Sequence, residues 1–324
     1  MKKIVVIGGG AWGSALAIAF SKDKRKIELI THKSISAQKL KDGHPKLPVG
    51  FNNNISISAN YELIKNAEYI LIAVPSFAFL ETLLRIKPYT NNMQKIAWAT
   101  KGFDTSKKQL LSSSFEEVFP ENHGCAISGP SFAAELAVGK PTTLVVASKD
   151  KNTRDEWSNQ IKTSSLRAYT NDDILGVEIG GSIKNVLAIA AGIAAGLGYG
   201  ANTQAALITR GLSEMKRLGN SLGANEKTFF GLSGLGDLVL TCSDDLSRNR
   251  RFGTELAKGR SIHLAKKNVG ATVEGLHSLD MTLELAQKMS VELPICEQVS
   301  KVISGTSSPS DAVQALMTRD QTSE

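Results

Sequence analysis

The run Gly8-Gly9-Gly10-Ala11-Trp12-Gly13 follows four β-branched residues, Ile4-Val5-Val6-Ile7, and opens a helical pattern over Ala11 to Ser21. This order of apolar strand, glycine turn and helix fits GxGxxG and constrains the chain more than any other feature. Gly8 permits the tight turn, Gly10 lets the backbone approach a pyrophosphate, and Gly13 lets helix and strand pack closely. The exposed N–H groups and the positive end of the helix would hold phosphates. Lys2 and Lys3 before the apolar stretch Ile4 to Phe20 superficially resemble a secretory signal. The glycines that interrupt this stretch make a buried strand and a turn the better reading.

Further apolar strands are expected at Ile27 to Thr31, Tyr69 to Val74, Lys95 to Ala99, Gly124 to Ile127 and Thr143 to Ala147. Strands of this kind separated by helices imply parallel pairing with crossover helices, hence a Rossmann-type doubly wound α/β domain over residues 1–174. From Leu175 the pattern turns helical, which predicts an all-α substrate and catalytic domain over 175–324. Helices are expected at Gly176 to Leu197, Gln204 to Leu222, Arg251 to Lys258, Val273 to Met289 and Pro294 to Ile303, with a short helix and a frayed end in Thr306 to Glu324. Val186 to Leu197, the nearest approach to a membrane span, is too short for one and reads as a packed core helix.

The net charge of +7 favours an anionic small substrate or cofactor. With 6% aromatic residues, platforms for stacked bases are not expected, and neither is nucleic-acid binding. Cys125, Cys242 and Cys296 are far apart, which suits a reducing compartment and argues against zinc. The five histidines show no ligand spacing, so no metal is expected.

The second strand runs into Thr31-His32-Lys33, where an NAD-binding chain would place the acid for the ribose hydroxyls. A basic end suits a 2′-phosphate and favours NADPH over NADH; the alternative is that His32 and Lys33 are solvated loop residues. Lys184 lies in an otherwise apolar helix, either desolvated, which lowers its pKa and suits acid–base work, or reaching out to water. Asn185 adds a hydrogen-bonding group beside it. The bend Gly231 to Leu238 carries Asp237, which either caps a helix or supports Lys184. Ser247 reads as the N-cap of a helix that starts with Arg248, Asn249, Arg250 and Arg251. Cations are unfavourable there unless an anion is bound, so this is a candidate phosphate site. Two loops after strands, Ala99-Thr100-Lys101-Gly102 and Ser128-Gly129-Pro130-Ser131-Phe132-Ala133, stand where α/β folds bind ligands, though either could be a plain connection.

Together with Val74-Pro75-Ser76 and the run Gly234 to Gly253, these motifs resemble, in order and over nearly the whole chain, the bacterial NAD(P)-dependent glycerol-3-phosphate dehydrogenases. The resemblance implies a reversible reduction of dihydroxyacetone phosphate to sn-glycerol 3-phosphate for glycerophospholipid synthesis, by a cytoplasmic homodimer without stable membrane association. It implies Lys184 as proton donor and acceptor, with Asp237 and Lys101 assisting. Substrate contacts would come from Lys101, Gly129, Ser131, Lys184, Asp237, Ser247, Arg248 and Asn249. Cofactor contacts would come from Ala11, Trp12, His32, Lys101, Ala133, Arg248, Thr272 and Glu274, beside Gly8, Gly10, Gly13 and Lys33 from the motif reading. Two rivals stand beside it. Another two-domain dehydrogenase would act on hydroxyacyl or sugar-phosphate substrates, and a nucleotide-binding sensor would keep the fold without catalysis.

Overall fold

The computed structural model describes residues 3–22, 25–41 and 43–318. Lys2 and the expected frayed end at 319–324 lie outside the described residues. The chain divides into two compact units, Met1–Glu178 and Ile179–Glu324. The division falls within the helix Ile174–Gly196, four residues after the boundary at 174/175 that the sequence suggests, which lies at the start of the same helix.

Among the described residues the first unit holds ten strands: β1 Ile4–Ile7, β2 Ile27–Ile30, β3 Ile55–Ser58, β4 Tyr69–Ile72, β5 Lys95–Trp98, β6 Phe103–Asp104, β7 Gln109–Leu110, β8 Cys125–Ser128, β9 Thr142–Ala147 and β10 Leu166–Asn171. Eight form one sheet in the order β10-β9-β8-β5-β4-β1-β2-β3, and β6 and β7 form a small antiparallel hairpin. Both β1 and β4 are buried along their whole length, as strands covered on both faces must be. The chain runs outward from β1 through β2 to β3, then returns to place β4 on the other side of β1. That reversal of strand order opens the crevice at the carboxyl ends of β1 and β4, where α/β sheets take their ligands.

Within the eight-stranded sheet, expected parallel pairing fails at one place: β8 and β9 run antiparallel. The helix between them, Ala133–Val138, has only 6 residues and ends on Gly139 at φ 86°. It rises about 9 Å, too little to return the chain along a strand of about 20 Å for parallel entry. Two strands of this sheet, β3 and β10, were not foreseen, because as edge strands they mix polar with apolar residues and are only partly buried instead of forming apolar runs.

The second unit is helical. Its long elements are Ala201–Ser221, Arg248–Ala257, Glu274–Lys288, Pro294–Ser304 and Pro309–Met317, following the helix Ile174–Gly196. Short helices Glu226–Phe229, Asp237–Ser243 and Ile262–Val269 add to the sequence reading. The helix Ile174–Gly196 is long and apolar enough to cross a membrane, which corrects the expectation that no segment here reaches that length. Its most apolar window is 94% buried inside the structure, as in a core helix. Its small residues permit close crossing: a Cβ on Gly192 would lie 1.9 Å from the Arg250 carbonyl oxygen, and one on Gly253 would lie 2.1 Å from that of Ile189. These paired glycines fix the helix Arg248–Ala257 against the one that carries Lys184.

Candidate active site

In the first unit the glycine turn has the geometry its sequence demands. The Gly8 amide donates to the Ile30 carbonyl at 2.9 Å, tying the turn to the end of β2. Gly8 has φ 121°, and a Cβ there would sit 2.5 Å from the Ala73 carbonyl oxygen. A Cβ on Gly13 would sit 2.0 Å from the Gly8 carbonyl oxygen, so helix and turn touch at this point. A Cβ on Gly10 would meet nothing within 4 Å. Gly10 is therefore not demanded by protein packing, and the open space above it suits a pyrophosphate. The helix Ala11–Ser21 begins there with no side-chain cap, leaving its first amides to an anion. The Trp12 indole N–H donates to the Ala99 carbonyl at 3.0 Å, tying this helix to the loop that carries Lys101.

At the end of β2, His32 and Lys33 are exposed. Glu28, the acid earlier on this strand, faces Lys3 at 3.5 Å and does not reach the strand's end. One further cation joins them that the sequence reading missed: Arg85 donates to Nδ1 of His32 at 3.0 Å. In the sequence Arg85 looks like any charged residue on an amphipathic helix. Near the carboxyl ends of β5 and β8, the Lys101 ammonium donates to the Gly129 carbonyl at 3.0 Å and the Ser131 hydroxyl to the same oxygen at 3.1 Å. These three predicted substrate residues are thus brought together. Ala133 opens the next helix and packs partly against the core of this unit.

The second unit gathers side chains from distant segments. Lys184 is 6% exposed, and Asp237 is fully buried. The Lys184 ammonium donates to Oδ1 of Asp237 at 2.5 Å and to Oγ1 of Thr241 at 2.9 Å. Of the two sequence readings of Lys184, burial holds and escape to water does not. Asp237 follows a five-residue π-helical turn, Leu232–Gly236, closed by the Gly236 amide on the Gly231 carbonyl at 3.1 Å. The wider turn re-aims the start of the helix Asp237–Ser243 toward Lys184; such turns recur at functional sites. Thr241, also missed, stands one helical turn after Asp237 and donates to its backbone carbonyl at 2.6 Å.

Asn249 holds a second knot. Its amide donates to Oδ1 of Asn185 at 2.9 Å, and its Oδ1 accepts from the Gly275 backbone N–H at 2.9 Å. It therefore joins the Lys184 helix to the start of the helix Glu274–Lys288. Ser247 caps the helix Arg248–Ala257 as expected, accepting from the Arg250 amide at 3.2 Å. Within this arginine-rich turn the chain itself supplies one anion, since Asp245 ion-pairs with Arg250. Arg248 is exposed and, among the described residues, forms no such bridge. Surrounding protein mass pulls its pKa below the ordinary value, with Glu274 opposing and Arg251 adding to the shift. A guanidinium stays charged through such a shift. Thr272 lies just before the helix that Glu274 opens, both partly buried.

A doubly wound sheet with a glycine phosphate turn, and a helical unit with a buried lysine–carboxylate pair, define a dinucleotide-dependent dehydrogenase. Residues 3–154 match the NAD-dependent glycerol-3-phosphate dehydrogenase N-terminus and residues 173–314 match its C-terminus, so the chain belongs to the NAD-dependent glycerol-3-phosphate dehydrogenase family. It is 59% identical to glycerol-3-phosphate dehydrogenase [NAD(P)+] of Ruthia magnifica subsp. Calyptogena magnifica over 100% of this chain and 99% of that one. The corresponding protein of Vesicomyosocius okutanii subsp. Calyptogena okutanii is 57% identical, over 98% of this chain and 97% of that one. The crystal structure of glycerol-3-phosphate dehydrogenase from Coxiella burnetii superposes with a TM-score of 0.94 at 39% identity, covering 98% of this chain and 99% of that one.

Proposed function

We propose that this protein reduces dihydroxyacetone phosphate to sn-glycerol 3-phosphate, reversibly, with NADPH favoured over NADH. The observation that carries the reading is the buried Lys184–Asp237–Thr241 cluster, in a chain of this family. The open space at Gly10 and the uncapped amides after it fit a dinucleotide pyrophosphate. Bound there, the reduced nicotinamide supplies the hydride that goes to the substrate's carbonyl carbon.

The chain's own residues do the rest. Lys184 Nζ gives a proton to the carbonyl oxygen as charge develops on it. Asp237 holds the ammonium in place and balances its charge, while Thr241 fixes its direction. The burial of this pair keeps water away and strengthens each electrostatic contact. Arg248 takes the substrate phosphate, far from the reacting bond, where binding energy orients the carbonyl. Asn249 and Ser247 hold the helix that presents it. Lys101, Gly129 and Ser131 are assigned to the substrate, and Ala11, Trp12, His32, Lys33, Ala133, Thr272 and Glu274 to the cofactor. The exposed basic end of β2 supports the NADPH preference. A cytoplasmic homodimer that feeds glycerophospholipid synthesis completes the reading.

The test is the nicotinamide absorbance of purified protein given dihydroxyacetone phosphate, with NADPH and then with NADH. Oxidation that requires this substrate, faster with NADPH, is expected. Folded protein that binds NADPH but oxidises neither cofactor would move the assignment to another hydroxy substrate or to a sensor.

A further inference from the structure

Three elements of the first unit converge at the carboxyl end of β2. His32 and Lys33 follow the strand itself. Tyr61 opens a 3₁₀ turn, Tyr61–Asn66, after β3. Arg85 comes from the helix Phe79–Ile86, which follows β4. The Arg85 guanidinium lies 4.3 Å from the centre of the Tyr61 ring. Its Nη1 donates to Nδ1 of His32 at 3.0 Å and to the His32 backbone carbonyl at 3.4 Å. Tyr61 is 8% exposed, so the ring is a fixed platform, whereas Arg85 and His32 are open to solvent.

This arrangement is specific in what it could recognise. The end of β2 adjoins the glycine turn, because β1 and β2 pair in register from Ile4↔Ile27 to Ile7↔Ile30. In a dinucleotide fold the adenosine ribose is read at this place. A carboxylate at the strand's end selects the free 2′-hydroxyl; here the strand runs into Thr31, His32 and Lys33, and the nearby Glu81, one turn before Arg85 on its helix, forms no ion pair with it among the described residues. A planar guanidinium stacked on an aromatic ring loses little freedom on binding and offers paired donors that match phosphate oxygens. Its bond to Nδ1 of His32 also orients the imidazole, leaving Nε2 as the N–H donor.

From this geometry we infer that Arg85, held by Tyr61 and His32, is the residue that distinguishes NADP(H) from NAD(H), by binding the 2′-phosphate of the adenosine ribose. The inference rests on the NADPH preference proposed above. Lys33 adds charge nearby, but among the described residues neither a ring nor a hydrogen bond orders its side chain, so its removal has the smaller effect.

The experiment measures calorimetric binding of adenosine 2′,5′-bisphosphate and of adenosine 5′-monophosphate to the full-length protein, without turnover. Wild type is expected to bind the bisphosphate at least about tenfold tighter, as one charge-assisted contact allows. Arg85→Gln should bring the two affinities to within about threefold, by weakening the bisphosphate alone. Arg85→Lys keeps the charge but not the fork or the stack, and should fall between them. If Arg85→Gln keeps the wild-type ratio, Arg85 does not read the phosphate, although the NADPH preference stands. If wild type itself shows no preference, the NADPH reading falls and the inference with it. If Arg85→Gln does not fold, Arg85→Lys decides, and an unchanged ratio in that variant overturns the inference.

Discussion

The glycine turn of the first unit and the lysine cluster of the second solve their problems by opposite means. The turn is built from backbone: Gly8, Gly9, Gly10 and Gly13 lie within six consecutive residues, and what shapes it is the absence of their side chains. The cluster works with side chains, drawn from residues 184, 185, 237, 241 and 249 and the amide of Gly275. A backbone site is local and fails by steric intrusion. A side-chain site is assembled by tertiary packing and fails by loss of a partner, because a buried charge is costly once unpaired.

The largest effect is therefore expected where one partner of the buried pair is removed. Asp237→Ala leaves the Lys184 ammonium without its carboxylate and should cost about 3–5 kcal/mol in chemical denaturation, as well as turnover. The double variant Lys184→Met/Asp237→Leu should regain most of that stability and no activity. Equal destabilisation in both variants would show that the pair matters to the fold through packing alone.

In the glycine turn the same contrast takes a steric form. Gly13→Ala should cost about 1–3 kcal/mol, since its Cβ would lie 2.0 Å from the Gly8 carbonyl oxygen. Gly10→Ala has open space and extended backbone at φ −73°, ψ 172°. It should melt within about 0.5 kcal/mol of wild type yet bind NADPH more weakly. Normal binding by Gly10→Ala would place the pyrophosphate elsewhere.

This difference also governs what the sequence discloses. The turn is legible because its whole logic lies in six adjacent residues. Lys184 is legible as a lone charge among apolar neighbours. Thr241 and Arg85 are not, since a threonine one turn beyond Asp237 and an arginine on an amphipathic helix look ordinary until tertiary contacts are known. The strands β3 and β10 escaped because edge strands need not be apolar, and β9 was oriented wrongly because strand spacing does not encode direction. The helix Asp237–Ser243 is too short for a periodic signal and follows a π turn that only backbone bonding reveals.

A smaller effect comes from a buried carboxyl outside the lysine cluster. Glu178, six residues before Lys184 on the same helix, is buried and accepts from Trp98 Nε1 at 3.0 Å and from Ser112 N at 3.0 Å. Burial pushes its pKa up to about 7, against those hydrogen bonds, from an ordinary 4.5. Between these values the folded protein holds a proton that the unfolded chain has released. Stability from this group is thus fully present below about pH 4.5 and is lost as pH rises to about 7. Glu178→Gln should flatten the stability profile across that window; an unchanged slope would mean that other groups set it. Glu214, which caps the helix Pro294–Ser304 through the Ile295 and Cys296 amides, has a pKa raised to about 7 by the same cause and adds in the same direction.

The most direct measurement is single-turnover hydride transfer to dihydroxyacetone phosphate by Lys184→Ala, with NADPH affinity determined on the same preparation. Retained NADPH binding with transfer slowed by about 100-fold or more is the predicted result. Transfer at the wild-type rate would remove Lys184 from the proton-transfer step and contradict the role given to the cluster.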